Sequence, residues 1–431
     1  MNKSPITAVI VGAGHRALCY AAYAETNPDK LKIVGVADPL EYRRKEVAER
    51  FKLSEEQCFE NADALVAKGK IADAAINGTM DADHVPTSIP LLKAGYDILL
   101  EKPFAITEEE VHELSMAAKK YGRKVMICHV LRYAPFYAKI KERLLNGEIG
   151  EVINIQTNEH VSYHHIASCF VRGKWNRKDV CGSSTLMSKC CHDLDLLMWM
   201  KSGIAPKKVS SFGSRSYFRQ EKAPGNSGTH CLLDCPIEKD CLYSSRKHHL
   251  DHSDRWAFYV WAEIEGNGAP TIEDKEKYLL EKDCPYSRCV WKCDNNVVDR
   301  QSVMIEFEDG STATHNLVGG TSKGQRAIHI VGTKGEIVGV IDESKFYVKL
   351  IDPRPNCECS VEEVDLNIHS DMTGAFGGHG GGDSRLIADF VEALLGETPS
   401  ISCTSIEDSL NGHLVGFAAD KAMENEEVVC L

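Results

Sequence analysis

The N-terminal sequence ITAVIVGAGHRA, residues 6–17, combines an apolar, β-branched run with a glycine pattern. The run predicts a buried strand over 6–12, and the pattern G-x-G-x-x-A predicts a tight turn into a helix. Gly12 permits the turn, Gly14 lets the backbone approach a pyrophosphate, and Ala17 lets the helix pack against the sheet. The helix N-terminus would face the anion. We therefore expect a dinucleotide-binding turn, although a lone glycine pattern would indicate no more than a tight turn.

Short apolar runs and helical patterns alternate along the rest of the N-terminal part. The predicted strands after the first are 32–38, 72–77, 97–100 and 124–128, and the predicted helices are 17–25, 41–51, 84–94 and 107–121. Strands that alternate with helices of this length imply a parallel sheet covered on both faces. The fold class expected is α/β, with a Rossmann dinucleotide-binding domain over residues 1–128.

Asp38 ends the second predicted strand and bears on the choice of cofactor. A carboxylate at this position accepts hydrogen bonds from ribose hydroxyls and repels a 2′-phosphate, which favours NAD over NADP. Arg43 and Arg44 follow, and we expect them on a solvated helix face rather than at a phosphate. The expected cofactor-binding residues lie in the first turn and at the strand ends: Gly12, Gly14, His15, Arg16, Asp38, Asn77, Thr79, His84, Glu101 and Lys102.

The composition limits the class of protein. The chain has 431 residues, of which 43% are hydrophobic and 26% charged, and this predicts two or three globular domains. Acidic residues outnumber basic ones by 63 to 50 with no long basic run, which argues against a nucleic-acid partner. No stretch approaches the roughly 20 apolar residues of a membrane span, and the start lacks a signal-peptide pattern. We expect a cytoplasmic protein without a membrane partner.

The motif Glu-Lys-Pro at 101–103 closes the strand predicted at 97–100. Ligands of open parallel sheets bind at the carboxyl ends of the strands. A lysine there can donate a hydrogen bond to a substrate hydroxyl and stabilise a developing alkoxide. A strand end at the surface that is followed by a turn proline would have the same sequence. The motif by itself is therefore compatible with a ligand-binding site and with a surface turn.

Together these features resemble the glucose–fructose oxidoreductase, inositol dehydrogenase and rhizopine-catabolism (Gfo/Idh/MocA) family. The resemblance extends through 107–121, 131–136, 147–150 and 405–410, and covers nearly the whole chain except a cysteine-rich stretch. It implies oxidation or reduction of a sugar, cyclitol or related polyol with NAD or NADP. It also implies a C-terminal α/β domain, here 129–431, with an open, mostly antiparallel sheet. Association through the open sheet face would give a homo-oligomer, a dimer or tetramer.

The second half of the chain contains β-type runs, which fits that expectation. These runs are 152–163, 257–265, 303–318, 327–340 and 346–351. The dipeptide Asp-Gly at 309–310 and the tripeptide Thr-Lys-Gly at 333–335 are plausible hairpin turns. We expect a meandering sheet whose open face lines the substrate site.

A helix predicted over 186–199 carries His192 and Asp195 on one side. The resemblance implies an active-site role for His192, but Ser188 stands where the family has an aspartate four residues before this histidine. We expect His192 to take the proton of a substrate hydroxyl while Lys102 stabilises the alkoxide and the nicotinamide accepts the hydride. The alternative for a helical histidine is a core position.

Aromatic and charged side chains between 158 and 175 predict a carbohydrate platform, with a strand and surface loop as the alternative. The expected substrate contacts are Tyr163, His164, Arg172, Trp175 and Asp195. The sequence His-Gly-Gly-Gly-Asp at 379–383 precedes a predicted helix. It would either bring backbone amides near the substrate or cap that helix.

Six of the 17 cysteines lie between 231 and 293, in a polar insert at about 218–296. A metal would help to order a loop that buries little apolar area, and four thiolates suit tetrahedral zinc. We expect a structural zinc ion ahead of an iron–sulfur centre, with unligated thiols as the alternative. The expected ligands are Cys231, Cys235 and Cys241, completed by Cys289 or Cys293.

Three functions are compatible with this sequence. The leading one is an NAD-dependent oxidoreductase acting on a hydroxyl of a sugar, glycoside or cyclitol. The second is a glycosidase with resident NAD, which oxidises its substrate transiently, eliminates the aglycone and returns the hydride. The third is a non-enzymatic dinucleotide-sensing regulator, against which the presence of both Lys102 and His192 argues.

Overall fold

The computed structural model describes residues 4–252, 255–266, 269–366 and 381–431. Its N-terminal sheet has six strands: β1 (Ile6–Val11), β2 (Leu31–Ala37), β3 (Cys58–Phe59), β4 (Ala74–Asn77), β5 (Asp97–Leu100) and β6 (Val125–Ile127). Their order is β3-β2-β1-β4-β5-β6, and every neighbouring pair is parallel. This order and the parallel pairing confirm the predicted Rossmann fold. The strands bury apolar side chains on both faces of the sheet, as parallel sheets do.

Helices cover both faces of this sheet, and their ends follow local capping rules. They are α1 (His15–Ala21), α2 (Tyr23–Thr26), α3 (Glu41–Phe51), α4 (Ala62–Lys68), α5 (His84–Lys93) and α6 (Glu108–Tyr121). The Thr107 hydroxyl accepts a hydrogen bond from the Glu110 N–H at the start of α6. Three glutamates occupy the first turn of α6 and two lysines the last, which complements the helix dipole.

The second sheet has nine strands and is mostly antiparallel, as expected. They are β7 (Val152–Ser162), β8 (Pro206–Ser214), β9 (Arg300–Phe307), β10 (Thr312–Thr321), β11 (Gln325–Gly332), β12 (Gly335–Val340), β13 (Lys345–Ile351), β14 (Cys359–Asp365) and β15 (Val429–Cys430). Their order is β14-β13-β12-β11-β7-β10-β9-β8-β15, with a parallel pairing between β7 and β10. Both predicted hairpins are confirmed, since β9 pairs with β10 and β11 with β12 in antiparallel fashion.

The C-terminal helices and the insert complete the fold. They are α7 (Pro135–Leu145), α8 (Tyr163–His165), α9 (Lys178–Cys181), α10 (Thr185–Met200), α11 (Ser245–His249), α12 (Ala257–Val260), α13 (Ile272–Leu279), α14 (Gly382–Leu394) and α15 (Ile406–Asn425), with a π-helical segment at Ile166–Val171. No helix in the described part of the chain is long and apolar enough to cross a membrane.

The strand predicted at 257–265 is wrong. This segment forms α12 followed by turns. The helix directs Val260 and Trp261 into a small core within the insert, where they pack with Tyr278 and Leu279. A short run of apolar and aromatic residues fits either a strand or a buried helix, and periodicity alone does not separate them.

The C-terminal part of the chain returns to the Rossmann domain. Leu386 and Phe390 of α14 belong to the same apolar core as Ile10 of β1. The Ile127 N–H donates to the Thr404 carbonyl oxygen at 2.8 Å, just before α15 begins. These contacts bring α10, which packs along α15, close to the carboxyl ends of the Rossmann strands.

Candidate active site

The glycine turn after β1 has the backbone that its pattern predicts. Gly12 has φ +76°, and a Cβ there would lie 2.7 Å from the backbone nitrogen of Thr79. A Cβ at Gly78 would meet the Ala17 Cβ at 2.9 Å, so these turns pack too closely for larger residues. At Gly14 the nearest atom to an added Cβ is 4.0 Å away. The turn therefore leaves open space at the position where a pyrophosphate would approach, and these residues fit a dinucleotide.

Asp38 is buried at the end of β2, and its carboxylate holds the turn. Oδ2 accepts a hydrogen bond from the Ala13 N–H and Oδ1 one from the Leu40 N–H, each at 2.8 Å. Arg43 Nη1 lies 3.8 Å from Oδ2. Arg44 donates to the Asp38 carbonyl oxygen at 2.6 Å, so its guanidinium holds the main chain rather than pointing into solvent as predicted.

Glu101 lies at the centre of a buried ion network. Its Oε1 accepts hydrogen bonds from Arg16 Nε at 3.0 Å and from Tyr20 Oη at 2.7 Å. Arg16 also pairs with Asp383 at the start of α14. Burial opposes ionisation of Glu101, but the charges of Arg16 and Lys102 outweigh it and lower the pKa of this carboxyl. The side chains of Arg16 and Glu101, predicted to bind the cofactor, thus connect α1, β5 and α14.

Asn77, Thr79 and His84 hold together the loops that follow β4 and β5. Asn77 Nδ2 donates to Thr87 Oγ1 at 2.9 Å, and Thr79 Oγ1 donates to Asn77 Oδ1 at 2.9 Å. The ring nitrogens of His84 lie 2.7 Å from the Pro103 carbonyl oxygen and 3.0 Å from that of Thr79. These residues set the spacing of the two loops, and their contact with a cofactor stays a prediction.

Lys102 meets α10 one helical turn before His192. Its Nζ donates to the Ser188 carbonyl oxygen at 2.9 Å. The Ser188 hydroxyl donates to the Ser184 carbonyl oxygen at 2.7 Å, within the helix. Residues four apart on a helix lie on the same face, so the buried His192 is on the Ser188 side of α10. Lys102 thus contacts the side of α10 that carries His192, and the catalytic role of both residues stays a prediction.

The sequence analysis did not identify His129, whose ring lies next to that of His192. It follows β6, is fully buried, and its ring centroid is 5.8 Å from that of His192 and 5.7 Å from that of His413. Burial lowers the pKa values of His129 and His413 well below the usual histidine value, so both are neutral. The available signal was the position of His129 at the carboxyl end of a Rossmann strand.

Asp195 has a different partner from the substrate predicted for it. Arg132 Nε donates to Oδ2 at 2.7 Å and Nη2 to Oδ1 at 2.5 Å, in a bidentate pair that is almost fully buried. Such a pair is costly to break, because either partner alone would be an uncompensated buried charge. Asp195 therefore holds α10 against the segment after β6.

Tyr163 and His164 contact the cysteine-rich insert. Arg255 Nη1 donates to Tyr163 Oη at 3.3 Å, and Trp256 Nε1 donates to His164 Nδ1 at 3.0 Å. Burial and the Arg255 charge lower the pKa of His164 to about 4, which keeps the imidazole neutral and Nδ1 available as an acceptor. The predicted platform is therefore built jointly by α8 and the insert.

Arg172 and Trp175 were both predicted to contact the substrate, but their side chains have different partners in the structure. Arg172 is 1% exposed, and its Nε and Nη2 each donate at 2.7 Å to carbonyl oxygens of the insert, those of Arg288 and Tyr243. A buried guanidinium that is bound to main chain in this way is not a substrate contact, and that prediction is corrected. Trp175 Nε1 donates to Asp81 Oδ2 of the Rossmann domain at 3.3 Å, and its contact with a substrate stays a prediction.

The insert extends across the predicted cofactor site. The Phe258 ring stacks on the His15 ring of the glycine turn, with centroids 4.3 Å apart and planes 10° apart. Tyr42 Oη of α3 donates to the Ala262 carbonyl oxygen at 3.2 Å. The insert is therefore a cover over the turn that would hold the pyrophosphate.

The glycine-rich segment at 379–383 is described in part. His379 and Gly380 lie outside the described residues. Gly381 has φ +77° and directly precedes α14. The Arg16–Asp383 pair connects the start of this helix to the glycine turn.

The expected zinc geometry is not formed by the insert. Among the described residues, the group of three ligand atoms within 4.8 Å of one another comes from Cys190, Asp193 and His315. Arg326 Nε lies 3.1 Å from Asp193 Oδ1, so a cation already neutralises that carboxylate. The thiols of the insert are arranged differently and are treated below.

A glycine turn that fits a dinucleotide, with Lys102 at the end of β5 and His192 on the neighbouring helix α10, is typical of an oxidoreductase with a nicotinamide cofactor. Residues 6–129 match the oxidoreductase family with an NAD-binding Rossmann fold, and residues 141–431 match the C-terminal alpha/beta domain of the same family. The chain belongs to this family, the Gfo/Idh/MocA oxidoreductases, and is an NAD(P)-dependent oxidoreductase.

Several known proteins are similar to this chain. The putative oxidoreductase YteT of Bacillus subtilis (strain 168) is 26% identical over 335 residues, 76% of this chain and 73% of the relative. D-glucoside 3-dehydrogenase of Escherichia coli (strain K12) is 26% identical over 252 residues, 58% and 68% of the two chains. Levoglucosan dehydrogenase in complex with NADH and levoglucosan has a TM-score of 0.68 over 99% of both chains at 17% identity, which shows a shared fold.

Proposed function

We propose that this protein oxidises a hydroxyl group of a sugar, glycoside or cyclitol with NAD, and that Lys102 and His192 handle the hydroxyl proton. The observation that carries the proposal is the hydrogen bond from Lys102 Nζ to the Ser188 carbonyl oxygen, one turn before His192. The relatives support the substrate class, since their names include a D-glucoside 3-dehydrogenase and a scyllo-inositol 2-dehydrogenase (NAD(+)).

Lys102 and His192 have complementary roles in this reaction. An ammonium group carries three N–H donors. The one donated to Ser188 orients Lys102, and the others can bind a substrate hydroxyl and stabilise the alkoxide that forms. His192 takes the hydroxyl proton as the general base. The nicotinamide, when bound, supplies the hydride acceptor.

NAD is the proposed cofactor rather than NADP because of Asp38. Its buried carboxylate lies beside the glycine turn and would repel a 2′-phosphate. Of the two nearby arginines, Arg44 is bound to main-chain oxygens and Arg43 lies beside Asp38 itself.

We expect Asp38→Asn to raise the Kd for NAD about tenfold and to reduce the preference for NAD over NADP. Asparagine keeps an acceptor for the Ala13 N–H but loses the charge that strengthens hydrogen bonds to the ribose. Titration calorimetry with both dinucleotides measures the change, with the exposed Asp63→Asn as the matched control. Unchanged affinity for both cofactors would remove the case for ribose recognition.

A glycosidase with resident NAD is the second candidate. Ser188 replaces a family carboxylate, and the insert enlarges the C-terminal domain beside the cleft. Such an enzyme would oxidise a sugar hydroxyl, eliminate the aglycone and return the same hydride. It would release product without net NADH.

One assay separates the two functions. The protein is mixed with NAD and a panel of aldoses, inositols and glycosides, and reduced-nicotinamide absorbance and released aglycone are read in the same samples. Rising absorbance supports the dehydrogenase and identifies its substrate class. Aglycone release with flat absorbance supports the glycosidase. Neither signal with any panel member would contradict both.

A further inference from the structure

Four cysteine thiols of the insert line one small cavity. They belong to Cys231, Cys235, Cys241 and Cys289. Three come from one short segment before α11, and the fourth comes from beyond α13. Cys293 is not among the lining residues, and its Sγ donates instead to the Cys289 carbonyl oxygen at 3.3 Å. Folding has therefore selected four thiols from the six of the insert.

Backbone hydrogen bonds hold the two cysteine segments side by side. The Cys231 N–H donates to the Ser287 carbonyl oxygen at 2.7 Å, and the Cys289 N–H donates to that of Thr229 at 2.8 Å. Paired bonds of this kind fix the distance between the two cysteine segments. The convergence of the thiols is thus built into the main chain and does not depend on side-chain rotamers alone.

A buried positive charge faces the same cavity. The Arg172 guanidinium lines it, and Nη2 lies 3.3 Å from Cys231 Sγ. The hydrogen bonds of Arg172 go to two carbonyl oxygens and this sulfur, and within the described residues its Nη1 has no hydrogen-bond partner. A buried cation without an anion is costly. Thiolates at the cavity would supply the missing negative charge.

A backbone donor also points at the sulfurs. The Tyr243 N–H donates to Cys241 Sγ at 3.3 Å. Together with Arg172, it gives the cavity two N–H donors directed at sulfur. Hydrogen bonds of this kind stabilise thiolates that ligate metals and tune the centre they hold.

We propose that Cys231, Cys235, Cys241 and Cys289 bind one metal centre through four thiolates. This donor set suits a zinc ion or a [4Fe–4S] cluster. Either centre carries about two positive charges against four thiolates, and Arg172 offsets part of the remaining negative charge. Addition of zinc or of a preformed cluster releases the four thiol protons, and no bond to carbon changes.

The four thiols are not already drawn together as around a bound zinc ion. A zinc–sulfur bond of about 2.3 Å places tetrahedral sulfurs about 3.8 Å apart. In the described insert, no three of these sulfurs lie within 4.8 Å of one another. Binding of zinc would draw the sulfurs together, whereas a cubane binds each cysteine at a separate iron, and analysis of the metal content distinguishes the two centres.

The centre would stabilise the cover over the active site. The insert has a small apolar core of its own, around Val260 and Trp261. Phe258 stacks on His15, and Trp256 donates to His164. A metal that cross-links the two cysteine segments would hold these outer residues of the insert in place. Four thiolates leave no open position on a zinc ion, and the role assigned is structural.

The first test measures metal in the wild-type, full-length protein purified without oxygen. Iron, acid-labile sulfide and zinc are determined per chain, and the visible absorption spectrum is recorded. About four irons and four sulfides per chain would identify a cluster bound at the four-thiolate site. One zinc per chain would also support the four-thiolate site. Absence of stoichiometric metal, both as purified and after anaerobic loading with zinc or with iron and sulfide, would overturn the proposal.

The second test assigns the ligands with a matched pair of variants. Cys241→Ser is expected to retain less than about a tenth of the metal and to make the insert sensitive to limited proteolysis. Cys293→Ser removes a thiol of the same insert outside the cavity and should keep the wild-type metal content. Equal metal loss in both variants would contradict the assignment. If Cys241→Ser does not fold, X-ray absorption of the wild-type metal decides, since a first shell without sulfur is incompatible with the site. None of these measurements requires dehydrogenase activity.

Discussion

We expect replacement of Lys102 by alanine to lower kcat about a thousandfold while the Kd for NAD changes by less than about twofold. The reason is local. The Lys102 ammonium lies at the end of β5, fixed by its hydrogen bond to the Ser188 carbonyl oxygen, where it can stabilise alkoxide charge on a substrate. The main-chain contact of Lys102 with Glu101 survives the substitution, because the Lys102 N–H makes it.

The measurement is the rate of NADH formation with the best substrate of the panel, alongside calorimetric titration with NAD. Lys93→Ala, which removes an exposed lysine of α5, is the matched control and should behave as wild type. Loss of NAD binding in Lys102→Ala would show that this lysine belongs to the cofactor site and not to the chemistry.

We expect replacement of His192 by asparagine to lower kcat/KM about a thousandfold and to remove the limb of the pH profile that reports a base. Asparagine keeps a polar group of similar size on α10 but cannot accept the hydroxyl proton. His129 and His413 do not substitute for His192, because burial lowers their pKa values far below the usual histidine value and leaves them poor bases.

The pH profiles of kcat/KM for wild type and variant provide the comparison. His112→Asn changes an exposed histidine of α6 and serves as the control. A variant that retains the wild-type profile at reduced rate would show that His192 positions the substrate and that another group takes the proton.

The insert contacts both the proposed active site and the proposed metal site. Its outer residues contact the glycine turn at His15 and the platform at His164, while its base holds the four thiols. Loss of metal is expected to affect substrate binding more than NAD binding, because the Rossmann strands and the glycine turn belong to a separate apolar core.

Much of the cofactor site could be predicted from the sequence alone. The glycine turn depends on a positive φ at Gly12 and on small residues at close approaches, and these requirements appear directly as residue types in a short stretch. Asp38 and Lys102 follow apolar runs that predict strands. Their position at the carboxyl edge of the sheet can therefore be predicted from the neighbouring residues alone. The six-stranded sheet was predictable for the same reason, whereas the mostly antiparallel sheet was expected from the family resemblance, and one of its predicted strands, 257–265, forms α12 and turns instead.

Partners of charged and metal-binding side chains were decided by the tertiary structure. Asp195 binds Arg132, and Arg172 faces four thiols rather than a substrate. Cys289 lines the cavity and Cys293 does not, although both sit in one short motif. The sequence by itself determined where strands end and which residues could do chemistry there, because those features depend on neighbouring residues. Tertiary structure alone decided which distant groups meet, because a buried charge or thiol takes the partner that long-range packing brings to it.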